Sequence, residues 1–280
     1  MDFRTSEGKE RYAALVADAV DVVVGLDFDG TLSPIVDDPA QAFVQPDAPR
    51  VLTDLAAQVR AVVVVTGRPA AQVVGLGRLD EVADALLEDD RLVVMGQYGN
   101  ERWDADRREV TSPPPPEGLQ AFRDELPRIL AREGARDAFV EDKGIALAVH
   151  TRRLPDPKEA FARLEEELTD AAERHGLAVE PGRLVIEVRA PGMHKGLAVR
   201  AAVEEHDAGG VVFCGDDLGD LEAFEAVREL ADTGLPGLLV CSGSEEQQAL
   251  AERADLVVDG PAGVLRFLAS YAADAEAHAV

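Results

Sequence analysis

Six short apolar runs recur along the chain, at 22–26, 61–65, 92–95, 211–213, 237–241 and 256–258. Each is strand-length and nearly continuous in Val, Leu, Ile or Ala rather than alternating, which is how a strand buried on both faces reads. Stretches of helical character lie between them, for example 47–58, 195–206, 218–230 and 261–272. Such strands bury both faces when helices cover the two sides of a mostly parallel sheet, so the fold class is α/β. In open sheets of this kind, ligands bind beyond the carboxyl ends of the strands.

The middle of the chain follows another pattern. "TSPPPPEG", from Thr111 to Gly118, is a stiff, extended linker. After it the sequence predicts a helix over 117–132, strands near 138–142 and 145–150, a helix over 156–175, and strands near 177–180 and 183–189. This is an αββαββ unit inserted into a larger domain, giving core segments 1–110 and 191–280 around an insert at 111–190.

The chain has 280 residues, 46% of them hydrophobic, enough to bury a real core. Its formal charge of −26 excludes a nucleic-acid backbone or an anionic membrane as partner. No apolar run approaches membrane-spanning length, and the charged start "MDFRTSEGKERYAALV" lacks a secretory apolar core. A cytoplasmic monomer is expected, with Cys214 and Cys241 reduced and structural.

The chemistry concentrates at four strand ends. "VVVGLDFDGTLSP" carries Asp27 and Asp29 one residue apart. Two carboxylates that close repel, and burial makes it worse, so a cation is the expected offset. Thr66-Gly67-Arg68 follows "AVVVV"; Asp216, Asp217 and Asp220 follow "VVFCG"; Lys195 opens a helix after "APGMH". A carboxylate can attack phosphorus, and a hard divalent cation lets several carboxylates share a site. A lysine and a threonine suit phosphoryl oxygens, and a second acid can protonate a leaving oxygen and later deprotonate water. Taken singly, each has a plainer reading. Asp-x-Asp is usually a turn, Thr66 could cap the helix after Pro69, and the acids of "GDDLGD" could cap the helix near Leu218. As an ordered set they point to phosphoryl transfer.

"DFDGT", "VVVTGR", "HKG" and "GDDLGD" resemble, in order, the four signatures of the haloacid dehalogenase superfamily of phosphohydrolases. Together with "VEDKGIALAVHTR" and "LVIEVRAPGMHKG", they are similar to trehalose-6-phosphate phosphatases. The resemblance implies a Rossmann-like core with an inserted cap, Mg²⁺ as cofactor and a small sugar phosphate as substrate. It implies Asp27 as nucleophile and metal ligand, and Asp29 as general acid and base with its carbonyl on the metal. Thr66 would hold phosphoryl oxygens, Lys195 would neutralise the nucleophile and phosphate, and Asp216 would complete the metal site. Asp217 and Asp220 could ligate the metal, bind its waters or orient Lys195; Asp217 is taken as a ligand. One departure shows: "GQYGNE" places Tyr98 where that family often has histidine. Another sugar-phosphate phosphatase, or a phosphomutase, uses the same core chemistry.

The insert is expected to choose the substrate. In "IALAVHTR", alternation puts Ile145, Leu147 and Val149 on one face and Ala146, Ala148, His150 and Arg152 on the other. In "LVIEVR", Leu184, Ile186 and Val188 oppose Val185, Glu187 and Arg189. Glu141, Lys143, Arg152 and Glu187 match the family's sugar-holding residues; the plainer reading is a solvated face with ion pairs. Local charge decides anion binding, since screening acts beyond about 8 Å. Arg68, Lys143, Arg152 and Lys195 with Mg²⁺ would form the positive patch; Arg68 could equally be a surface residue. "GLGRLD" (75–80) lacks the third glycine of a dinucleotide fingerprint, and the histidines lack metal-ligand spacing. The tail "SYAADAEAHAV" is expected to fray.

Overall fold

The computed structural model describes residues 3–86, 91–182, 184–192, 194–243 and 248–279. In chain order these form α1 (Ser6–Ala17), β1 (Val22–Leu26), α2 (Ala48–Ala56), β2 (Ala61–Val65), α3 (Ala70–Gly77), α4 (Leu79–Ala85) and β3 (Leu92–Gly96). They continue with β4 (Glu101–Asp104), β5 (Val110–Thr111), α5 (Leu119–Arg132), β6 (Phe139–Asp142), β7 (Leu147–His150), α6 (Pro157–Arg174), β8 (Ala178–Gly182) and β9 (Val185–Arg189). The chain then runs through α7 (Lys195–Glu205), β10 (Gly210–Gly215), α8 (Leu221–Asp232), β11 (Gly237–Gly243), α9 (Gln248–Arg253), β12 (Leu256–Asp259) and α10 (Gly260–His278). Two compact units result, one from residues 1–112 and 194–280, the other from 113–193.

The first unit holds a sheet of order β12-β11-β10-β1-β2-β3-β4-β5. From β1 the chain builds outward through β2 and β3, then returns at β10 on the other side of β1. The strand order therefore reverses between β1 and β10, and these two pair in parallel with Leu26 opposite Cys214. A crevice at such a switch point is where open α/β sheets bind ligands. The apolar strands read as continuous runs because both faces are covered. Val24, Leu26 and Cys214 pack on one side with Leu52 and Leu268, while Val23, Phe213 and Cys241 pack on the other with Phe224. Cys214 and Cys241 thus face opposite ways and are free thiols.

Three details depart from the sequence reading. The sheet gains an antiparallel hairpin, β4 and β5, whose "ERWD" carries no apolar run. Helix α1 was not anticipated; Thr5 Oγ1 accepts the Gly8 amide at 3.0 Å and caps it. The tail does not fray: α10 runs to His278, with Tyr271 fully buried and donating to the Leu15 carbonyl at 2.7 Å. Tyr12 on α1 donates to Asp274 at 2.6 Å, tying down the same turn. "GLGRLD" is the joint between α3 and α4, with Arg78 in left-handed conformation (φ 52). No helix among the described residues is long and apolar enough to cross a membrane.

The second unit is an antiparallel sheet, order β6-β7-β9-β8, with α5 and α6 on one face. Leu147, Val149, Ile186 and Val188 pack against Leu126, Leu164 and Leu168, as alternation predicts. Two residues leave the expected faces. Strand β7 ends at His150, so Arg152 stands in an exposed turn. Leu184 precedes β9 in left-handed conformation (φ 60). Residue 183, where the expected strand begins, lies outside the described residues.

Candidate active site

Because β1 and β10 are in register, the residues leaving them, Asp27 and Asp216, start side by side. The Asp27 amide donates to the Cys214 carbonyl at 2.9 Å, extending the ladder by one residue. The chain then turns sharply, the Leu32 and Ser33 amides both donating to the Phe28 carbonyl at 2.9 Å. Gly30 sits at φ 76 in this turn, and a Cβ there would lie 2.1 Å from an Asp216 carboxylate oxygen. Ser242, at the end of β11, donates to the Gly30 carbonyl at 2.6 Å. The carboxylates are thus placed by backbone held on three sides.

Lys195, the first residue of α7, brings the counter-charge. Its Nζ donates to Asp27 Oδ1 at 2.6 Å and to Asp220 Oδ1 at 2.8 Å. The other Asp220 oxygen accepts the amides of Asp216 (2.9 Å) and Asp217 (3.3 Å). Both Asp220 oxygens are therefore engaged within the protein, which favours its lysine-orienting role. Asp217 is exposed and caps the turn at Leu218–Asp220, accepting the Gly219 amide at 2.9 Å. Asp27, Asp216 and Asp220 offer ligand oxygens within 4.8 Å of one another; Asp217 stands outside that group.

Asp29 is not in the cluster either. Arg68 grips its carboxylate with two hydrogen bonds of 2.6 and 2.7 Å, and gives a third, 2.9 Å, to the Pro39 carbonyl. Sequence reasoning placed these two residues at neighbouring strand ends and missed that they pair. Thr66 follows β2, and its Oγ1 accepts the Arg68 amide at 3.1 Å. It does not cap the next helix; the first amide of α3, from Ala70, donates to Glu101 Oε2 at 2.7 Å. Glu101 closes the segment "GQYGNE", but sequence reasoning singled out only Tyr98 there and gave Glu101 no role.

The polar face of the second unit forms its own cluster. Lys143 pairs with Glu187 at 2.5 Å, and Arg189 approaches Glu187 at 3.9 Å and Glu180 at 2.7 Å. Glu141 pairs with His150 at 3.0 Å. Glu187 and Arg189 are buried, so this is not a merely solvated face. Arg152 does not join it.

The model of the trehalose-phosphatase family matches residues 25–87 and 90–258. The chain belongs to the trehalose-phosphatase family. It is 31% identical over 228 residues to a probable trehalose-phosphate phosphatase of Sinorhizobium fredii, covering 80% of each chain. It is 29% identical over 226 residues to the trehalose-6-phosphate phosphatase of Escherichia coli, covering 80% of this chain and 78% of that one. The C-terminal domain of Candida albicans trehalose-6-phosphate phosphatase superposes with a TM-score of 0.73 at 20% identity, over 97% of this chain and 98% of that one. A haloacid dehalogenase-like hydrolase from Bacteroides thetaiotaomicron superposes with a TM-score of 0.65 at 14% identity, over 88% and 97%. These two structures share the fold.

In this trehalose-phosphatase family member, three buried carboxylates face one ammonium. Burial, then Asp220, pushes Asp27 well above the ordinary carboxylate range against the pull of Lys195. Burial and Asp220 push Asp216 up to about 7. Burial works against the Lys195 charge, yet Asp220 and Asp27 outweigh it and hold Lys195 above the usual lysine range. An excess of buried, hard oxygen donors fits a divalent cation, with Asp27 and Asp216 the carboxylates left to hold it.

A pH effect follows. The folded protein keeps a proton on Asp216 up to about pH 7, whereas the unfolded chain loses it in the ordinary carboxylate range. Metal-free protein therefore loses stability from this group as pH rises through that window. A cation competes with that proton, so Mg²⁺ should raise Tm more at about pH 8 than at about pH 5.5. Melts at both pH values, with Mg²⁺ and with chelator, check this; equal shifts would contradict it.

Proposed function

We propose that the protein hydrolyses trehalose 6-phosphate to trehalose and phosphate, with Mg²⁺ bound, through a phosphoryl group carried on Asp27. The observation that supports this most is the meeting of Asp27, Lys195 and Asp216 at the switch point of the sheet, in a chain of this family. Mg²⁺ held by Asp27, Asp216 and the Asp29 carbonyl would supply charge neutralisation to the phosphate. Asp217, exposed beside Asp216, is within the same loop to hold its waters.

The chain's own groups then divide the work. An Asp27 oxygen attacks phosphorus and the P–O bond to the sugar breaks; Asp29, released from Arg68 and protonated from solvent, gives that proton to the leaving oxygen. Asp29 then takes a proton from water, whose oxygen attacks phosphorus and frees Asp27 and inorganic phosphate. Lys195 lowers repulsion between the Asp27 carboxylate and the anionic substrate, and Asp220 keeps Lys195 aimed. Thr66 holds phosphoryl oxygens. Arg68 grips Asp29, and in the substrate complex exchanges part of that grip for phosphate. The reaction is assigned to a cytoplasmic monomer.

A panel of sugar phosphates, assayed for phosphate release with and without Mg²⁺, tests the reading. Trehalose 6-phosphate should be turned over fastest, and chelation should stop the reaction. Isomerised sugar phosphate in place of free phosphate would identify a phosphomutase, and faster release from a monosaccharide phosphate would move the substrate.

Lys143, Glu187 and Glu141, on the polar face of the second unit, are assigned to sugar hydroxyls; Arg152, expected with them, stands in an exposed turn outside that face. Losing one charged hydrogen bond costs about 1.5–3 kcal/mol, or roughly tenfold to a hundredfold in kcat/KM. Glu187→Ala and Lys143→Ala should show this with trehalose 6-phosphate, while hydrolysis of p-nitrophenyl phosphate changes little. A parallel fall in both activities, with the fold intact, would remove these residues from substrate choice.

A further inference from the structure

Three successive residues of the segment "GQYGNE" adopt left-handed backbone conformations: Gln97 at φ 46, Tyr98 at φ 60 and Gly99 at φ 96. Side chains other than glycine enter this region mainly under constraint, and such outliers gather where a site needs fixed geometry. The constraint is visible on two sides. Toward the end of β2, the Tyr98 amide donates to the Thr66 carbonyl and the Gln97 amide to the Arg68 carbonyl, both at 2.9 Å. The Tyr98 ring lies against Gly67 so closely that a Cβ there would stand 2.7 Å from the ring Cζ. Gln97, fully buried, donates Nε2 to Glu101 Oε1 at 2.6 Å, and the other Glu101 oxygen holds the start of α3. Toward α7, a Cβ on Gly99 would stand 3.0 Å from Ala198 Cβ, three residues after Lys195.

One turn therefore braces both the Thr66–Arg68 loop and the helix that begins with Lys195. We infer that Tyr98 is a positioning residue for phosphoryl transfer: its ring, pinned over Gly67, sets the backbone of the loop that presents Thr66 and Arg68. The inference rests on the phosphatase reading above. It also accounts for the glycine between Thr66 and Arg68, since any side chain there would displace the ring.

The test compares wild type, Tyr98→Phe and Tyr98→Ala for Mg²⁺-dependent hydrolysis of p-nitrophenyl phosphate, with Tm and the Mg²⁺ concentration for half-maximal rate recorded for each. Tyr98→Phe keeps the ring and should stay within about threefold of wild-type kcat, while Tyr98→Ala should lose at least about tenfold, since small displacements of aligned groups carry such costs. The half-maximal Mg²⁺ concentration should not move, because Asp27 and Asp216 leave β1 and β10. Gly67→Ala drives a methyl into the ring from the other side and should reproduce the loss if Tyr98→Ala fails to fold. Wild-type kcat in a folded Tyr98→Ala, an equal loss in Tyr98→Phe, or a shifted Mg²⁺ requirement would each overturn the inference. An inactive wild type would instead overturn the phosphatase reading on which it rests.

Discussion

Asp27→Asn should cut phosphate release by about 10⁴-fold or more, the scale expected when a covalent nucleophile is removed. The side chain is nearly isosteric, and its amide oxygen can still accept from Lys195 Nζ, which lies 2.6 Å from Asp27 Oδ1. What is lost is the second carboxylate oxygen, and with it the negative charge of the nucleophile that would bond to phosphorus. The fold should not suffer. Burial and Asp220 push the Asp27 pKa up, so the charged carboxylate is a cost to the metal-free folded state that the neutral amide relieves. Metal-free Asp27→Asn should therefore melt at or above the wild-type temperature while being inactive. Steady-state kinetics and a thermal melt on one preparation check both halves. Near-normal turnover would remove Asp27 as nucleophile, and a large drop in Tm would mean that the carboxylate holds the fold.

Lys195→Met should cost both activity and stability. The ammonium is buried between Asp27 and Asp220, and removing it leaves three buried carboxylates without their nearest counter-charge. Breaking a buried pair from one side costs about 3–5 kcal/mol, which for a chain of this size is a fall in Tm of roughly 10 °C. Turnover should fall by about a thousandfold, as for loss of one preorganised charge facing a developing anion. Mg²⁺ should restore part of the stability and little of the rate. The double variant Lys195→Met/Asp220→Asn should recover part of the lost stability, because one unpaired acid is gone, with no gain in rate. An unchanged Tm in metal-free Lys195→Met would show that the ammonium does not balance this cluster.

The strands were legible because a strand buried on both faces has no polar positions to interrupt it. That pattern also marked which residues leave the carboxyl ends, and Asp27, Thr66 and Asp216 were found that way, while Lys195 was found at the head of a helix in "HKG". Pairings between those ends were not legible. Arg68 and Asp29 are 39 residues apart, and only the β2-β1 order brings them together; that Asp220 orients Lys195 was one of three readings the sequence left open, and α7 lying against α8 decides it. Asp217 and Asp220 look alike in "GDDLGD", and the difference lies in which one turns inward under the Asp216 amide. The hairpin β4–β5 was hidden because it lies at the sheet edge and "ERWD" is only half buried. The alanine-rich tail reads as ready to fray because small residues give little sign of what they pack on; Tyr271 and Asp274 anchor it. Arg152 was misplaced by a strand that stops two residues sooner than alternation alone suggests. The left-handed pair Gln97 and Tyr98 left no trace in composition, since neither residue prefers that conformation.

Phosphoryl transfer to Asp27 is the step on which the whole account turns. Enzyme mixed with ³²P-labelled trehalose 6-phosphate and Mg²⁺, quenched in acid within the first turnover and digested, should carry label on the peptide containing Asp27. The label should appear at least as fast as phosphate is released, and hydroxylamine should remove it, as expected of an acyl phosphate. Full turnover with no acid-trapped label at any quench time, or label on a peptide lacking Asp27, would contradict the account.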